Sequence, residues 1–175
     1  LEPAGPKLSL RLISPDDAGY VHGLRTNPDY NRHLSPVTGT VEDQRRWIEN
    51  YKSREAQGSE LYFVIERKDG VRCGLVRLYD IEAKSFTWGS WILDENKPRK
   101  AALESAVLVY TMAFDLLGLR QSKFDVRIDN HKTIAFHQRF GAMETHRDPQ
   151  DIFFTYTREQ FEKDRHGYLS LLGGE

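Results

Sequence analysis

A chain of 175 residues with 29% charged and 39% hydrophobic residues has the composition of an ordinary globular protein. It is long enough for one domain with a substantial core and too short for two catalytic domains joined by a linker. The formal net charge of -1 argues against a nucleic-acid partner held by a strong overall positive field, while leaving room for a local basic patch beside a phosphorylated cofactor. No stretch approaches the ~20 apolar residues of a membrane helix, and no charged-then-apolar leader opens the sequence. With Cys73 as the single cysteine, unable to pair internally, the expectation is a cytoplasmic protein without a membrane partner.

Residues 1–7, with two prolines and a glycine, read as a loose end. Leu8, Leu10 and Leu12 alternate with Ser9, Arg11 and Ile13, which predicts a strand with one buried face. Ser14-Pro15-Asp16-Asp17 has the form of a helix start: a cap, a proline in the first helical position and acids in the first turn. That helix runs to about Thr26. Asn27 to Thr40 reads as an irregular loop, after which Thr40 caps a second helix that ends near Gly58 and packs through Trp47, Ile48 and Tyr51.

Three strands follow, Glu60 to Arg67, Val71 to Asp80 and Lys84 to Leu93, forming an antiparallel meander with Cys73 as a buried thiol. The basic turn Asn96-Lys97-Pro98-Arg99-Lys100 leads into an almost wholly apolar helix from Ala101 to Leu117, stopped by Gly118 and predicted to be buried. Gln121 to Ile128 is the fifth strand, Asn130 to Gly141 a helix, Asp151 to Tyr156 the last strand, and a polar helix starts at Arg158 before a loose end at 173–175. This order predicts a single α+β domain over 1–175, with a sheet that changes from antiparallel to parallel where a helix joins two strands. The histidines show no metal-ligand spacing, so no metal site is expected.

Two segments tie this order to a known family. Asn130-His131-Lys132-Thr133-Ile134, followed by His137 and Phe140-Gly141, is one; Ala113-Phe114 with Gly118-Leu119, twelve residues before the asparagine, is the other. Together with Leu10-Arg11, Asp16-Asp17, Arg25-Thr26-Asn27-Pro28 and Trp88-Gly89, the chain from Leu8 to Phe161 resembles the GNAT superfamily. Within it, the likeness is to the branch of ribosomal-protein and amino-sugar N-acetyltransferases.

The resemblance implies a mixed sheet splayed between strands 4 and 5 and flanked by helices, with acetyl-CoA (acyl-CoA) in the gap. Backbone around Trp91, Ile92 and Leu93 would pair with the pantetheine amides, and Trp91 would border the acyl channel. The pyrophosphate would sit at the helix start formed by Lys97, Arg99, Lys100, Ala101 and Ala102, where free N–H groups and the helix dipole favour an anion. Lys97, Lys100 and Ala102 stand on the marks of the family's phosphate loop, with lysine replacing the usual glycine at the second. Asn130 would face the pantetheine arm as well as capping its helix.

His137 stands where the family often has a tyrosine that protonates the leaving thiolate, and histidine can exchange protons near neutral pH. Thr87 stands where many relatives carry the glutamate that takes the amine proton; threonine cannot serve as that base, which leaves Asp80, Glu82, His137 or water. Arg25, Asn27, Tyr30, Arg32 and His33 would border the acceptor. The implied activity is N-acetylation of a small-molecule amine, with a nucleotide-linked amino sugar preferred, by a monomer or homodimer. The alternatives are an N-terminal protein acetyltransferase and a non-catalytic domain for CoA binding or assembly.

Overall fold

The computed structural model describes residues 2–173. Strand β1 (Leu8–Leu12) buries Leu8 and Leu10, and a short 3-10 turn (Pro15–Asp17) then leads into α1 (Ala18–Thr26), so the helix begins three residues later than its proline-led start predicts. Asp17 closes this corner. Its side chain is 4% exposed and accepts two hydrogen bonds from Arg11, both 3.0 Å, one from Arg72 at 3.2 Å and one from the Ser14 N–H at 2.8 Å. Burial alone would raise the Asp17 carboxyl, but the bonds from Arg11 and Ser14 outweigh it and hold the group below the usual carboxylate range.

Helix α2 (Val41–Ala56) starts at Thr40, whose hydroxyl accepts from the Asp43 N–H while the Asp43 carboxylate accepts from the Thr40 N–H, a reciprocal capping box. Strands β2 (Leu61–Arg67), β3 (Arg72–Glu82) and β4 (Ser85–Leu93) form the meander. Its tight centre depends on Gly74, where a Cβ would lie 2.3 Å from the carbonyl oxygen of Ile92 on the neighbouring strand. Helix α3 (Ala101–Tyr110) is almost wholly buried and widens into a π-helical stretch, Thr111–Leu116, before Gly118 stops it at φ 69°. Then come β5 (Gln121–Arg127), α4 (His131–Phe140), β6 (Met143–Arg147), β7 (Asp151–Thr157) and α5 (Arg158–Gly173).

The seven strands lie in the order β1-β2-β3-β4-β5-β7-β6. Every pairing is antiparallel except β4 with β5, which the buried crossover helix α3 makes parallel. One face carries the larger core, where α3, α4 and α5 pack on residues such as Phe63, Val76, Trp88 and Phe124. On the other face α1 and α2 cover only Tyr62, Val64, Leu75 and Ile92, from β2, β3 and β4. Among the described residues no helix belongs to that core over β5 and β7, and Lys123, Asp125 and Arg127 of β5 are exposed there.

Two expectations need correction. Residues 3–7 are tied down rather than loose: the Pro3 carbonyl accepts from Leu10, Gly5 donates to the Leu8 carbonyl, and the buried Glu104 carboxylate accepts from the N–H groups of Lys7 and Leu8 at 2.9 and 2.7 Å. At the other end Gly173 is the last residue of α5, and 174 and 175 lie outside the described residues. Strand β6 has no counterpart in the sequence reading. All five of its residues are exposed, so it leaves no apolar alternation, and it exists because it pairs as an edge strand with β7.

Candidate active site

The parallel pair consists of only two register contacts, Ser85 with Gln121 and Phe86 with Ser122. Beyond them β4 and β5 diverge. A buried chain of hydrogen bonds fixes the closed end: Trp88 Nε1 donates to the Tyr110 hydroxyl at 3.1 Å, that hydroxyl pairs with Ser122 Oγ at 3.3 Å, and Ser122 donates to the Tyr156 carbonyl. An aromatic wedge fills the open end. His137 of α4 sits 4.5 Å from the Phe124 ring, 5.3 Å from Trp88 and 5.8 Å from Trp91, measured between ring centres, so side chains from both strands hold the helix between them. Trp91 is braced in turn by its indole N–H, which donates to Ser105 of α3 at 3.2 Å.

Beside the divergence β4 carries a bulge, because Leu75 faces Ile92 whereas Arg77, two residues on, faces Gly89. The extra residue is held by Ser90 in the left-handed region, φ 48°, a strained choice for a residue with a side chain. A bulge interrupts the ladder toward β3, and the splay removes the ladder toward β5, so Gly89, Ser90 and Trp91 line a cleft on an incompletely paired stretch of central strand. Free backbone donors at such a position suit an extended, amide-bearing ligand and a carbonyl oxygen that gains charge.

The cleft has a volume of about 340 Å³ and brings together Tyr30, His33, Trp91, Asn130 and His137 from the sequence-derived set. Tyr30 is fixed there by accepting from the Glu95 N–H, and His33 lies 3.3 Å from Asp129. Arg25 lines an adjoining cavity instead. Asn27 is spent on a local turn, its side chain accepting from the Asp29 N–H, and neither it nor the exposed Arg32 lines either cavity. Ile92 and Leu93 have their side chains in the cores on opposite faces, leaving only their backbone for a ligand.

Asp80 does not reach the cleft. The register sets Tyr79 against Thr87, and the irregularity that follows turns Asp80, at φ 49°, out to solvent on the hairpin at the closed end of the gap. The acid facing the cleft is Asp125 of β5, together with Asp151 of β7. Burial, and then the neighbouring Asp151, push the Asp125 carboxyl above its ordinary range. Arg77, Tyr79 and Arg127 share that face. In sequence Asp125 and Arg127 are simply the polar half of an alternating strand, and nothing local distinguishes a polar face in bulk water from one that lines a cleft.

His137 keeps its place at the cleft wall but not the chemistry expected of it. Only 4% exposed and ringed by aromatic side chains, its imidazole is driven by burial down to about 3, so the ring is neutral at physiological pH. It can offer an N–H to a ligand; it does not carry the extra proton of an imidazolium acid.

At the start of α3 Lys100 occupies the left-handed region, φ 63°, and the helix ladder begins with Glu104 donating to the Lys100 carbonyl at 2.9 Å. The N–H groups of Ala101 and Ala102 precede that ladder. Lys97 and Arg99 are exposed beside them, whereas the Lys100 ammonium donates to the Leu171 carbonyl of α5 at 2.6 Å, which directs that cation toward the end of the last helix. Open strand backbone next to an open helix start fits the amide arm and pyrophosphate of a coenzyme A. Among the described residues no cluster of three or more metal-ligating side chains occurs, and no helix is long and apolar enough to cross a membrane.

Comparison with known proteins agrees with this geometry. A family profile described as "Acetyltransferase (GNAT) domain" matches residues 7–143. The structure described as "Apo FdhC- a nucleotide-linked sugar GNAT" is 40% identical, with 99% of each chain covered and a TM-score of 0.91. The spermidine N-acetyltransferase of Vibrio cholerae in complex with CoA and spermine shares the fold at 19% identity and a TM-score of 0.76, covering 89% of this chain and 98% of that one. Among curated sequences, the "SPbeta prophage-derived uncharacterized N-acetyltransferase YokL" of Bacillus subtilis (strain 168) is 23% identical over 170 residues, 90% of this chain and 94% of the relative. The chain therefore belongs to the GNAT acetyltransferases and is an N-acetyltransferase that uses acetyl-CoA.

Proposed function

We propose that the acceptor is the amino group of a nucleotide-linked sugar. The observation that supports this reading best is the near-complete likeness, at 40% identity over 99% of both chains, to a protein described as a nucleotide-linked sugar GNAT. The uncovered face of β5 and β7 gives the acceptor a route to the cleft from the side opposite α3 and α4. Acetyl-CoA supplies the activated acetyl thioester. The bulge at Ser90 aims strand amides at the carbonyl oxygen as its charge grows, and the packed wedge of Trp88, Trp91 and Phe124 keeps water from the reacting atoms.

Asp125 accepts the proton of the attacking amine, directly or through a water. Although Asp125 is an exposed residue, partial shielding in the cleft and the neighbouring Asp151 raise its carboxyl above the usual range, which makes it a better proton acceptor than an unperturbed aspartate. His137, neutral, donates a hydrogen bond toward the departing sulfur. Asp125 and Asp151 also give a polyamine something to hold, which makes spermidine the rival worth including. The test is acetyl-CoA turnover with dTDP- and UDP-linked amino sugars, spermidine and N-terminal peptides as acceptors. Highest kcat/KM with a nucleotide-linked sugar is expected; preference for spermidine or a peptide would overturn the reading.

A further inference from the structure

A second cavity, of about 460 Å³, opens beside the cleft and shares Ser35, Arg77 and Ser90 with it. It lies between the loop after α1 and the start of α2. Three polar atoms of lining residues are buried without a well-formed hydrogen bond: Nε of Arg25, Nε of Arg77, which has Glu60 Oε2 at 3.6 Å, and the hydroxyl of Tyr62, a residue only 1% exposed with the Arg25 guanidinium close by. Such groups are rare in folded proteins because each forfeits its hydration without compensation, so three in one wall call for a ligand.

Their signs say which kind. Two are guanidinium donors and the third is a hydroxyl that can also donate, so the missing partner is an acceptor, and the positive charge makes it an anion. Both arginines act on the same point. Burial raises the Tyr62 phenol, and Arg25 and Arg77, in that order, are the groups that oppose it. Asp43 is engaged by Thr40 and Arg46. Glu60 splits its two oxygens: Oε1 accepts from Arg54 at 2.9 Å, and Oε2, which has no hydrogen bond, forms a loose ion pair with Arg77 Nε at 3.6 Å, so one carboxylate is shared by two arginines and leaves Arg25 unneutralised. Arg25 is already oriented, since its far nitrogen donates to the Ser35 carbonyl at 3.0 Å. Trp47 adds an aromatic wall.

We propose that this second cavity is a diphosphate subsite, in which Arg25, Arg77 and Tyr62 hold the pyrophosphate linkage of the acceptor while its amino sugar reaches through to the cleft. The assignment rests on the nucleotide-linked reading of the acceptor and adds to it the residues that distinguish a linked sugar from a free one. The shared residues Arg77 and Ser90 give the path between the two chambers. A polycation such as spermidine would find like charge there.

The experiment is kinetic and is run at saturating acetyl-CoA, so that the cofactor's own phosphate site is filled. Acceptors are a dTDP-linked amino sugar and the methyl glycoside of the same sugar; inorganic pyrophosphate and dTDP serve as inhibitors. The wild-type protein should prefer the linked sugar, and both inhibitors should compete with it. Arg25→Gln and Arg77→Gln should each lower the preference, expressed as a ratio of kcat/KM values, by roughly 10- to 100-fold, mostly through KM, and should relieve inhibition. If Arg25→Gln fails to fold, Arg25→Lys, which keeps the charge but loses the fork, and Arg77→Gln carry the test. An unchanged ratio, or equal loss on both acceptors, overturns the subsite even where linked sugars remain the best acceptors. If linked sugars are not acetylated but pyrophosphate still competes with the preferred amine, and the arginine variants abolish that competition, the subsite stands and the acceptor reading falls.

Discussion

Asp125 and His137 face the same cleft, and burial acts on them in opposite directions. For Asp125, an exposed residue shielded on its cleft side, it raises the carboxyl above its ordinary range, with Asp151 adding to the effect. Asp125→Asn keeps the shape and removes the base, so kcat/KM should fall by roughly 10²–10⁴ with little change in acetyl-CoA affinity. A variant with near-normal rates would move the proton to solvent. For His137 burial removes a proton that the unfolded chain would bind at about 6.5. Between that value and the folded value of about 3, the unfolded state binds the extra proton, so the stability tied to neutral His137 is complete above ~6.5 and is lost as pH falls toward 3. The slope is at most about 1.4 kcal/mol per pH unit. His137→Phe should flatten this acid sensitivity in melting experiments and lower turnover by about tenfold, one hydrogen bond's worth, without removing any limb of the rate profile between pH 5.5 and 8. A limb near 6.5 that disappears in the variant would show that the imidazole titrates during catalysis.

Helix α3 joins two tasks, since its crossover makes β4 and β5 parallel and its first turn leaves N–H groups outside the helix ladder, where the pyrophosphate of the cofactor is expected. Lys97 and Arg99 stand at that start, where cations are unfavourable unless an anion arrives. Lys97→Ala with Arg99→Ala should therefore weaken coenzyme A more than its pantetheine fragment; equal weakening would mean that the turn acts only on folding. Lys100 is set apart by its tie to Leu171, so its removal should loosen α5 on α3 and appear in stability before affinity. The main elements are legible in the sequence because their signals are local: the alternation of Leu8, Leu10 and Leu12, the Thr40 cap, the apolar run after Ala101 and the Gly118 stop. The cleft is only half legible. Asn130 and His137 come from motif positions and Trp91 from the strand gap that the resemblance implies, whereas Arg77, Ser90, Asp125 and Asp151 become neighbours only through register, a bulge and a strand order that places β5 between β4 and β7. Asp80 fails for the same reason, one position beyond the residue that the register keeps in line. Strand β6 was invisible because an exposed edge strand needs no apolar alternation.

The whole sheet is built around an incomplete pairing. Splaying two central strands leaves backbone donors and acceptors without a ladder, a cost that a fold sustains only when the surrounding packing enforces it. Here the enforcement is asymmetric: the Trp88, Tyr110 and Ser122 hydrogen bonds lock the closed end, while the aromatic wedge around His137 holds the open end apart. Acetyl-CoA laid along β4 would complete the sheet, and its binding should then register in two ways. Free energy of unfolding should rise by about 2.7 kcal/mol at 100 times the dissociation constant, a shift readable in thermal melting. Amide exchange should slow locally as well. Gly89 to Leu93 of β4 and the start of α3 should gain protection, whereas Phe86 and Ser122, already within the paired end, should change little. Uniform slowing across the sheet would point to general tightening of the fold rather than to a ligand laid along β4. A melting shift with no protection at Gly89 to Leu93 would place the cofactor elsewhere on the surface.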